Sequence, residues 1–136
     1  LWQIAIKPGK PLAFGEVNRP EDASSAFFVG LPGNPVSSFV TFLMFVRPFI
    51  LALQGAKVQP PKRYPMRADF DWAKPDRRNE FLRARINDQH GLDLFPNQGS
   101  GVLTSTVWGD GIIDNPPGQA IARGELVRFI ALSDLL

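Results

Sequence analysis

The sequence predicts a short α/β segment that is followed by an all-β domain. Strand-like apolar runs and one long helical stretch occupy the chain before residue 54, Pro and Gly cluster between residues 54 and 61, and short strand patterns fill the remainder. Because the periodicity changes at the Pro/Gly cluster, we expect one domain over residues 1–57 and a second over residues 58–136.

The first part is expected to contain three strands and a helix. The strands are predicted over Trp2–Ile6, Leu12–Val17 and Ala26–Leu31. The third strand is a continuous apolar run, which is typical of a strand buried on both faces. Val36–Leu53 is long enough for a helix, and Asn34 followed by Pro35 is a good helix start. Apolar residues surround this helix, so it should be buried or contact a second subunit, and Pro48 should bend its last turn or end it early.

Short strand patterns separated by turn residues predict a small β-barrel or sandwich in the second part. The expected strands are Arg63–Trp72, Glu80–Asn87, Leu92–Phe95, Val102–Trp108, Ile112–Ile113, Ala120–Ala122 and Leu126–Leu132. In the second of them Arg83 and Arg85 alternate with aliphatic residues, so both should face solvent.

Composition and charge exclude several classes of function. A content of 44% hydrophobic and 21% charged residues suits a packed core. The absence of cysteine excludes disulfides and zinc–sulfur sites, and the single His90 forms neither a metal site nor a Ser/His/Asp set. Residues 1–61 carry five basic and three acidic residues, while residues 62–136 carry ten of each. This mild excess suits a small anionic ligand and argues against nucleic acid.

The apolar stretch Phe39–Leu53 is interrupted by Thr41, Arg47 and Pro48. We therefore expect no membrane span and a cytoplasmic protein. The chain opens without Met on an apolar run, so an upstream portion is expected to be missing.

Two loops of the first part suggest an anion site. The turn Pro32–Ser38 starts a helix after a strand, which directs backbone N–H groups toward the sheet edge. Lys7 and Lys10 stand on a loop rich in Pro and Gly. A plain helix start and two solvated lysines remain as alternatives, and adjacent strands of one sheet would unite the two loops. Gln98–Gly101 could wrap a phosphate through backbone amides or form an ordinary turn.

Several runs of the sequence resemble one known family. IAIKPGKPLAFG followed by LPGNPVSSFVTFLMFVRPFI resembles the end of the MogA-like domain in MoeA and gephyrin E proteins. RRNEFLRARI, NQGSGVLTSTVWGDGII and GELVRF are similar, in this order, to the C-terminal β-barrel of that family. The resemblance covers the whole chain and the last third of the family's length. It implies the end of a MogA-like domain with one long buried helix over residues 1–57, and the β-barrel domain IV over residues 58–136.

The resemblance also implies a function, molybdopterin molybdenumtransferase, which is part of molybdenum cofactor biosynthesis. Such an enzyme inserts molybdate into adenylylated molybdopterin with release of AMP and is assisted by Mg²⁺. The pocket for pterin phosphate and molybdate is implied to include Lys7, Pro32 and Pro35, with neighbours Lys10, Gly33, Asn34 and Ser37. Ser100 is implied to face the pocket of a partner subunit, and Gln3 stands where relatives can carry another lysine.

No catalytic residue is assigned, and the metal ligands of the family precede Leu1. The isolated piece is therefore expected to be inactive. A homodimer is the expected assembly. Two alternatives remain: a scaffolding module of the gephyrin type that clusters receptors, and an RNA-binding barrel around Arg77, Arg78, Arg83 and Arg85, with Phe81 and Trp72 nearby. The neutral charge of residues 62–136 weighs against RNA.

Overall fold

The computed structural model describes residues 5–8, 12–99, 104 and 108–136. Within these residues one long helix is combined mostly with strands. The strands are β1 (Ile6–Lys7), β2 (Ala13–Asn18), β3 (Ser25–Gly30), β4 (Tyr64–Arg67), β5 (Asn79–Ile86), β6 (Leu92–Leu94), β7 (Gly111–Asn115) and β8 (Leu126–Ala131). A short 3₁₀ turn, Leu132–Asp134, follows β8.

The helix runs from Pro35 to Leu53 in three segments, which are α1 (Pro35–Thr41), a π-helical turn (Phe42–Val46) and α2 (Arg47–Leu53). Across the wide turn the Arg47 N–H donates to the Phe42 carbonyl, five residues back. Pro48 has no N–H to donate, and a wider turn before a proline eases its clash with the preceding turn. The helix continues past Pro48 to Leu53, so of the two outcomes expected for Pro48 an early end is wrong.

Six strands form one sheet, in the order β1-β5-β7-β8-β4 with β6 also paired to β5. β1 is parallel to β5, and the other pairings are antiparallel. A single bridge joins Ala68, just past β4, to Leu92 at the start of β6. In the described part of the chain the strand ladders do not close into a ring, and this bridge is the one β-bridge that joins the β4 end to β6.

The sheet separates two hydrophobic clusters because neighbouring residues of a strand point to opposite faces. Leu82, Ile113 and Phe129 belong to one cluster, which lies within the β part of the chain. Phe81, Ile112 and Ile130 belong to the other, which also contains Ile6 of β1 and Val36, Val40 and Leu43 of the helix. Apolar burial thus connects the residues before and after position 58.

The hairpin β2–β3 departs from the sequence-based expectation. β3 was expected to be buried on both faces, yet Phe27 and Phe28 are 47% and 55% exposed. The reason is that β3 pairs with β2 alone among the described residues. Phe14 and Phe27 each pack edge-on against Phe49 of α2, with ring centroids 5.4 and 5.3 Å away.

Helix burial is confined to the first two segments. The buried residues are Val36, Ser37, Val40 and Thr41 in α1 and Leu43 and Val46 in the π-helical turn, whereas no residue of α2 is buried. The helix is therefore buried on one face before Arg47, where Phe42 and Phe45 are still 37% and 38% exposed, and the alternative of a second subunit stays a prediction. By length and composition Pro35–Leu53 could cross a membrane, but the core helix of a soluble protein meets the same criterion.

Several predicted strands are shorter than expected or wrong. Arg63–Trp72 reduces to β4 and isolated bridges, and Ala120–Ala122 reduces to one bridge between Ile121 and Trp72. The strand predicted over Val102–Trp108 is wrong at Thr104 and Trp108, whose backbones are helical. The rest of that segment lies outside the described residues.

Candidate functional site

The turn before the helix is held by its own side chains. Asn34 Oδ1 accepts hydrogen bonds from the Val36 and Ser37 amides at 3.1 and 3.4 Å. The Ser38 hydroxyl donates to the Pro32 carbonyl. Because Asn34 already occupies the amides of Val36 and Ser37, an oxyanion at this turn must be met by other groups.

The predicted residues of this turn differ in accessibility. Pro32 and Ser37 are buried, Asn34 is half-buried, and Gly33 and Pro35 are exposed. Ser37 is only 5% exposed, so its hydroxyl lies inside the fold. Gly33 and Pro35 are therefore the residues of the turn that border solvent.

Lys7 lies on β1, an edge strand of the six-stranded sheet, and forms an ion pair. Its Nζ is 3.7 Å from Asp76 Oδ2, and its side chain is 43% exposed. Asp76 also accepts from the Arg78 Nε and Nη2 at 2.9 and 3.0 Å. The Arg78 hydrogen bonds, with a smaller contribution from Lys7, hold the pKa of Asp76 well below its usual range. Lys7 thus places a partly exposed ammonium group beside a carboxylate.

The strands next to the two predicted loops lie in different sheets. β1 pairs with β5, whereas β3, which leads into the Pro32–Ser38 turn, pairs with β2 in a separate sheet. The expectation that adjacent strands of one sheet carry both loops is wrong for the described residues. Ile6 and Val36 instead share one buried cluster, so the core draws β1 toward the start of the helix. Lys10, the second predicted lysine, lies outside the described residues.

Arg83 is a candidate that the sequence pattern missed. It was expected on the solvent face of β5, but it is only 2% exposed and lines a small cavity with Phe39 and Val40 of the helix. Its Nη1 donates to the Phe81 carbonyl at 3.2 Å and its Nη2 to the Gly99 carbonyl at 3.3 Å. Burial lowers the pKa of Arg83 to about 10, so the group still carries its charge at neutral pH. Arg83 lies on the helix face of β5 with Phe81, whereas Lys7 is in register with Glu80 and therefore belongs to the opposite face.

Arg85 stays on the surface, as the alternation predicted. Its guanidinium lies 4.5 Å from the centroid of the Trp108 ring, and Phe95 packs against the same ring at 5.2 Å. Strand alternation gives Arg83 and Arg85 the same side of β5. Only tertiary packing distinguishes them, so no local signal in the sequence could have found the buried one.

Gln98, in the loop expected either to wrap a phosphate or to form an ordinary turn, is anchored to β5, since its side chain bonds the backbone of Arg83. Ser100, the predicted hydroxyl of this loop, lies outside the described residues. In the part of the chain that the structure describes, no group of three or more His, Asp or Glu side chains could hold a metal ion.

Comparisons with known proteins agree on one family. The family model described as "MoeA C-terminal region (domain IV)" matches residues 65–132, which is half of the chain. Molybdopterin molybdenumtransferase of Haemophilus influenzae is 43% identical over 142 residues, covering 99% of this chain and 33% of the relative. The molybdenum cofactor synthesis protein cinnamon of Drosophila melanogaster is 36% identical over 121 residues, covering 84% of this chain and 19% of the relative.

Solved structures give the same picture for the fold. The molybdopterin biosynthesis MoeA protein of Pyrococcus horikosii superposes with a TM-score of 0.69 at 27% identity, covering 95% of this chain and 30% of that structure. A molybdenum cofactor biosynthesis protein of Pyrococcus furiosus gives a TM-score of 0.71 at 23% identity, covering 95% and 44%, and its likeness concerns the fold alone. The chain spans about a third of the length of the Haemophilus influenzae relative.

Proposed function

The chain belongs to the MoeA C-terminal region (domain IV) family, and from this premise we propose that it serves molybdenum cofactor biosynthesis as part of a molybdopterin molybdenumtransferase. The proposed reaction inserts molybdate into adenylylated molybdopterin and releases AMP. The observation that carries the proposal is the 43% identity to a relative of that name over 99% of this chain. The relatives reported above are named for cofactor synthesis or transfer, which does not favour the scaffolding alternative.

The charges of the described residues suit these substrates. Molybdate, the pterin phosphate and the adenylate are all anions, and an enzyme handles anions with fixed cations and oriented donors. Lys7 offers a partly exposed ammonium group beside Asp76. This cation lies on a strand of the sheet, which reduces the entropy lost on binding.

The proposed binding residues are those implied by the family resemblance. Lys7, Pro32 and Pro35 would line the pocket, with Lys10, Gly33, Asn34 and Ser37 beside them and Ser100 contributed from the second part. Support comes from the shared core of Ile6 and Val36 and from the exposure of Gly33 and Pro35. Asn34 Oδ1 already accepts from the first amides of the helix, which argues against a direct role of those amides in binding. We therefore assign the main contact to Lys7.

Magnesium is implied by the family, but the described residues do not fit it, because they contain no group of three acidic or His side chains with a suitable arrangement. We therefore propose that its ligands come from another part of the protein. The ligands to be held by this chain are molybdate and adenylylated molybdopterin.

The proposed architecture is the end of a MogA-like domain over residues 1–57 and a small barrel over residues 58–136. The barrel is supported by the Asp69 amide, which donates to the Leu92 carbonyl at 2.9 Å and links the β4 side of the sheet to β6. A full ladder between those strands would be needed to complete a barrel.

We further propose a homodimer in the cytoplasm, with no membrane or nucleic-acid partner. The apolar surface supports self-association, since α2 has no buried residue and Phe28 and Leu53 are each 55% exposed. Exposed apolar patches of this kind commonly mark protein contacts. The helix and hairpin are thus the proposed contact surface.

The test is reconstitution with the full-length protein. Adding molybdate to the protein loaded with adenylylated molybdopterin should release AMP and form active molybdenum cofactor in equal amounts. Binding of the adenylylated pterin without molybdate-dependent AMP release would contradict the proposal.

A further inference from the structure

Asp76, in the loop before β5, is held by hydrogen bonds on its backbone and on its side chain. Its amide donates to the buried carboxylate of Glu80, and its carbonyl accepts from the Gly118 amide at 2.9 Å. Its Oδ1 accepts from the amide and the Nε of Arg78, both at 2.9 Å, and its Oδ2 accepts from the Arg78 Nη2 at 3.0 Å. The Arg78 hydrogen bonds keep the pKa of Asp76 well below its usual range. Asp76 is therefore a fixed negative charge at neutral pH.

This fixed charge lies beside the lysine to which anion binding is assigned. Asp76 Oδ2 is 3.7 Å from Lys7 Nζ, and the two side chains are 20% and 43% exposed. Because 3.7 Å is longer than a hydrogen bond and an ammonium group has several donors, Lys7 can still receive an anion from solvent. An oxyanion bound to Nζ at about 2.8 Å lies no more than about 6.5 Å from Asp76 Oδ2. Any anion on Lys7 is thus repelled by Asp76.

We propose that Asp76 is a specificity-determining residue, which weakens the hold of Lys7 on small inorganic anions and does so more for dianions than for monoanions. The inference rests on the function proposed above, in which Lys7 binds an anion. Its physical basis is that the repulsion is proportional to the charge of the ligand, and a fixed like charge is a common way to reject unwanted ligands. A free dianion such as sulfate is then held weakly, and an anion stays only when further groups of the site contact it.

Two neutral variants of the full-length protein remove this charge. In Asp76→Asn the Oδ1 remains and still accepts from the amide and the Nε of Arg78, so only the Nη2 bond is lost. In Asp76→Ser the hydroxyl can accept from the Arg78 amide two residues further on. Asp88→Asn is the matched control, because Asp88 is exposed in the turn after β5, whereas Lys7 pairs near the beginning of that strand.

Dissociation constants of molybdate and perrhenate would be measured by calorimetry at neutral pH, at low and high salt, together with thermal unfolding. Both ions are tetrahedral, but molybdate carries two charges and perrhenate one. At low salt we expect both neutral variants to bind molybdate roughly three- to tenfold more tightly than the wild type, and perrhenate roughly two- to threefold more tightly. The gain should shrink at high salt, which screens partly exposed charges, and Asp88→Asn should show none.

A purely structural role of Asp76 would not produce a gain that depends on the charge of the ligand. Unchanged or weaker molybdate binding by the folded variants, an equal gain for both anions, or the same gain in Asp88→Asn would overturn the inference alone. Loss of folding in both neutral variants would make Asp76 a structural residue and overturn it as well. A wild type that binds no molybdate, or binds it equally well after Lys7→Ala, would overturn the proposed function, and this inference with it.

Discussion

A buried carboxylate, Glu80, supports the edge of the sheet that carries Lys7. Glu80 is 1% exposed and is the register partner of Lys7 across β1 and β5. Its Oε2 accepts from the Trp72 indole N–H at 2.7 Å, and its Oε1 accepts from the Asp76 amide. Since Asp76 is the ion-pair partner of Lys7, Glu80 fixes a charge beside the predicted anion-binding lysine.

The replacement Glu80→Gln keeps the volume and turns one acceptor oxygen into an N–H₂ group. In either orientation the side-chain N–H₂ group faces another donor, which is the Trp72 indole N–H or the Asp76 backbone N–H. One of the two hydrogen bonds is therefore lost. A hydrogen bond to a charged acceptor contributes about 1.5–3 kcal/mol, and burying an amide costs less than burying a carboxylate. We therefore expect a net loss of about 2 kcal/mol in the free energy of unfolding, which lowers Tm by roughly 6–10 °C.

Equilibrium urea unfolding, followed by tryptophan fluorescence, measures this loss. Glu125→Gln is the control because Glu125 is exposed, and surface changes of this kind shift stability by less than about 0.5 kcal/mol. If the two variants unfold at the same urea concentration, Glu80 does not support the sheet edge and the reasoning is refuted.

Three other predictions concern assembly, organisation and pH. Sedimentation should show dimers or larger species, because apolar side chains such as Phe28 and Leu53 are exposed; a monomer at micromolar concentration would argue the opposite. Limited proteolysis should cut first within residues 54–61, which form no regular strand or helix, and first cleavage within Glu80–Ile86 would place the boundary elsewhere. The Arg67 and Asn87 hydrogen bonds lower the pKa of Asp69 to about 2, below its unfolded value of about 3.9. The contribution of Asp69 to stability is therefore present above about pH 4 and is lost as pH falls toward 2. The urea midpoint of Asp69→Asn should consequently fall less between pH 5 and pH 2.5 than that of the wild type. An equal fall in both proteins would exclude Asp69 as its cause.

Local signals in the sequence predicted the helix start and most strands. Asn34 and Pro35 define the start of α1 because capping depends on neighbouring residues only, and the cap is present as expected. The wide turn before Pro48 was not predicted, because it depends on how the whole helix relieves one missing N–H.

Tertiary packing determined the features of burial that the sequence pattern did not predict. A continuous apolar run has the same appearance in a buried strand and in an exposed hairpin, so the exposure of Phe28 on β3 was not predictable. Arg83 was missed because alternation places it with Arg85, while burial depends on the distant Phe39 and Val40. For the site, the sequence indicated Lys7 and the Pro32–Ser38 turn. The contacts through Asp76 and Gln98 join residues too far apart in the chain for a local pattern to show.

The most direct test of the account compares molybdate binding by Lys7→Ala and Lys57→Ala in the full-length protein. Lys7 is the ion-paired lysine of β1, whereas Lys57 lies in the exposed segment after the helix, so the two changes remove the same charge from different places. A charge-assisted contact contributes about 1.5–3 kcal/mol, so Lys7→Ala should weaken molybdate and adenylylated molybdopterin binding roughly 10- to 100-fold, and Lys57→Ala should leave both nearly unchanged. Equal losses in the two variants would mean that overall charge, and not a site at Lys7, accounts for the affinity.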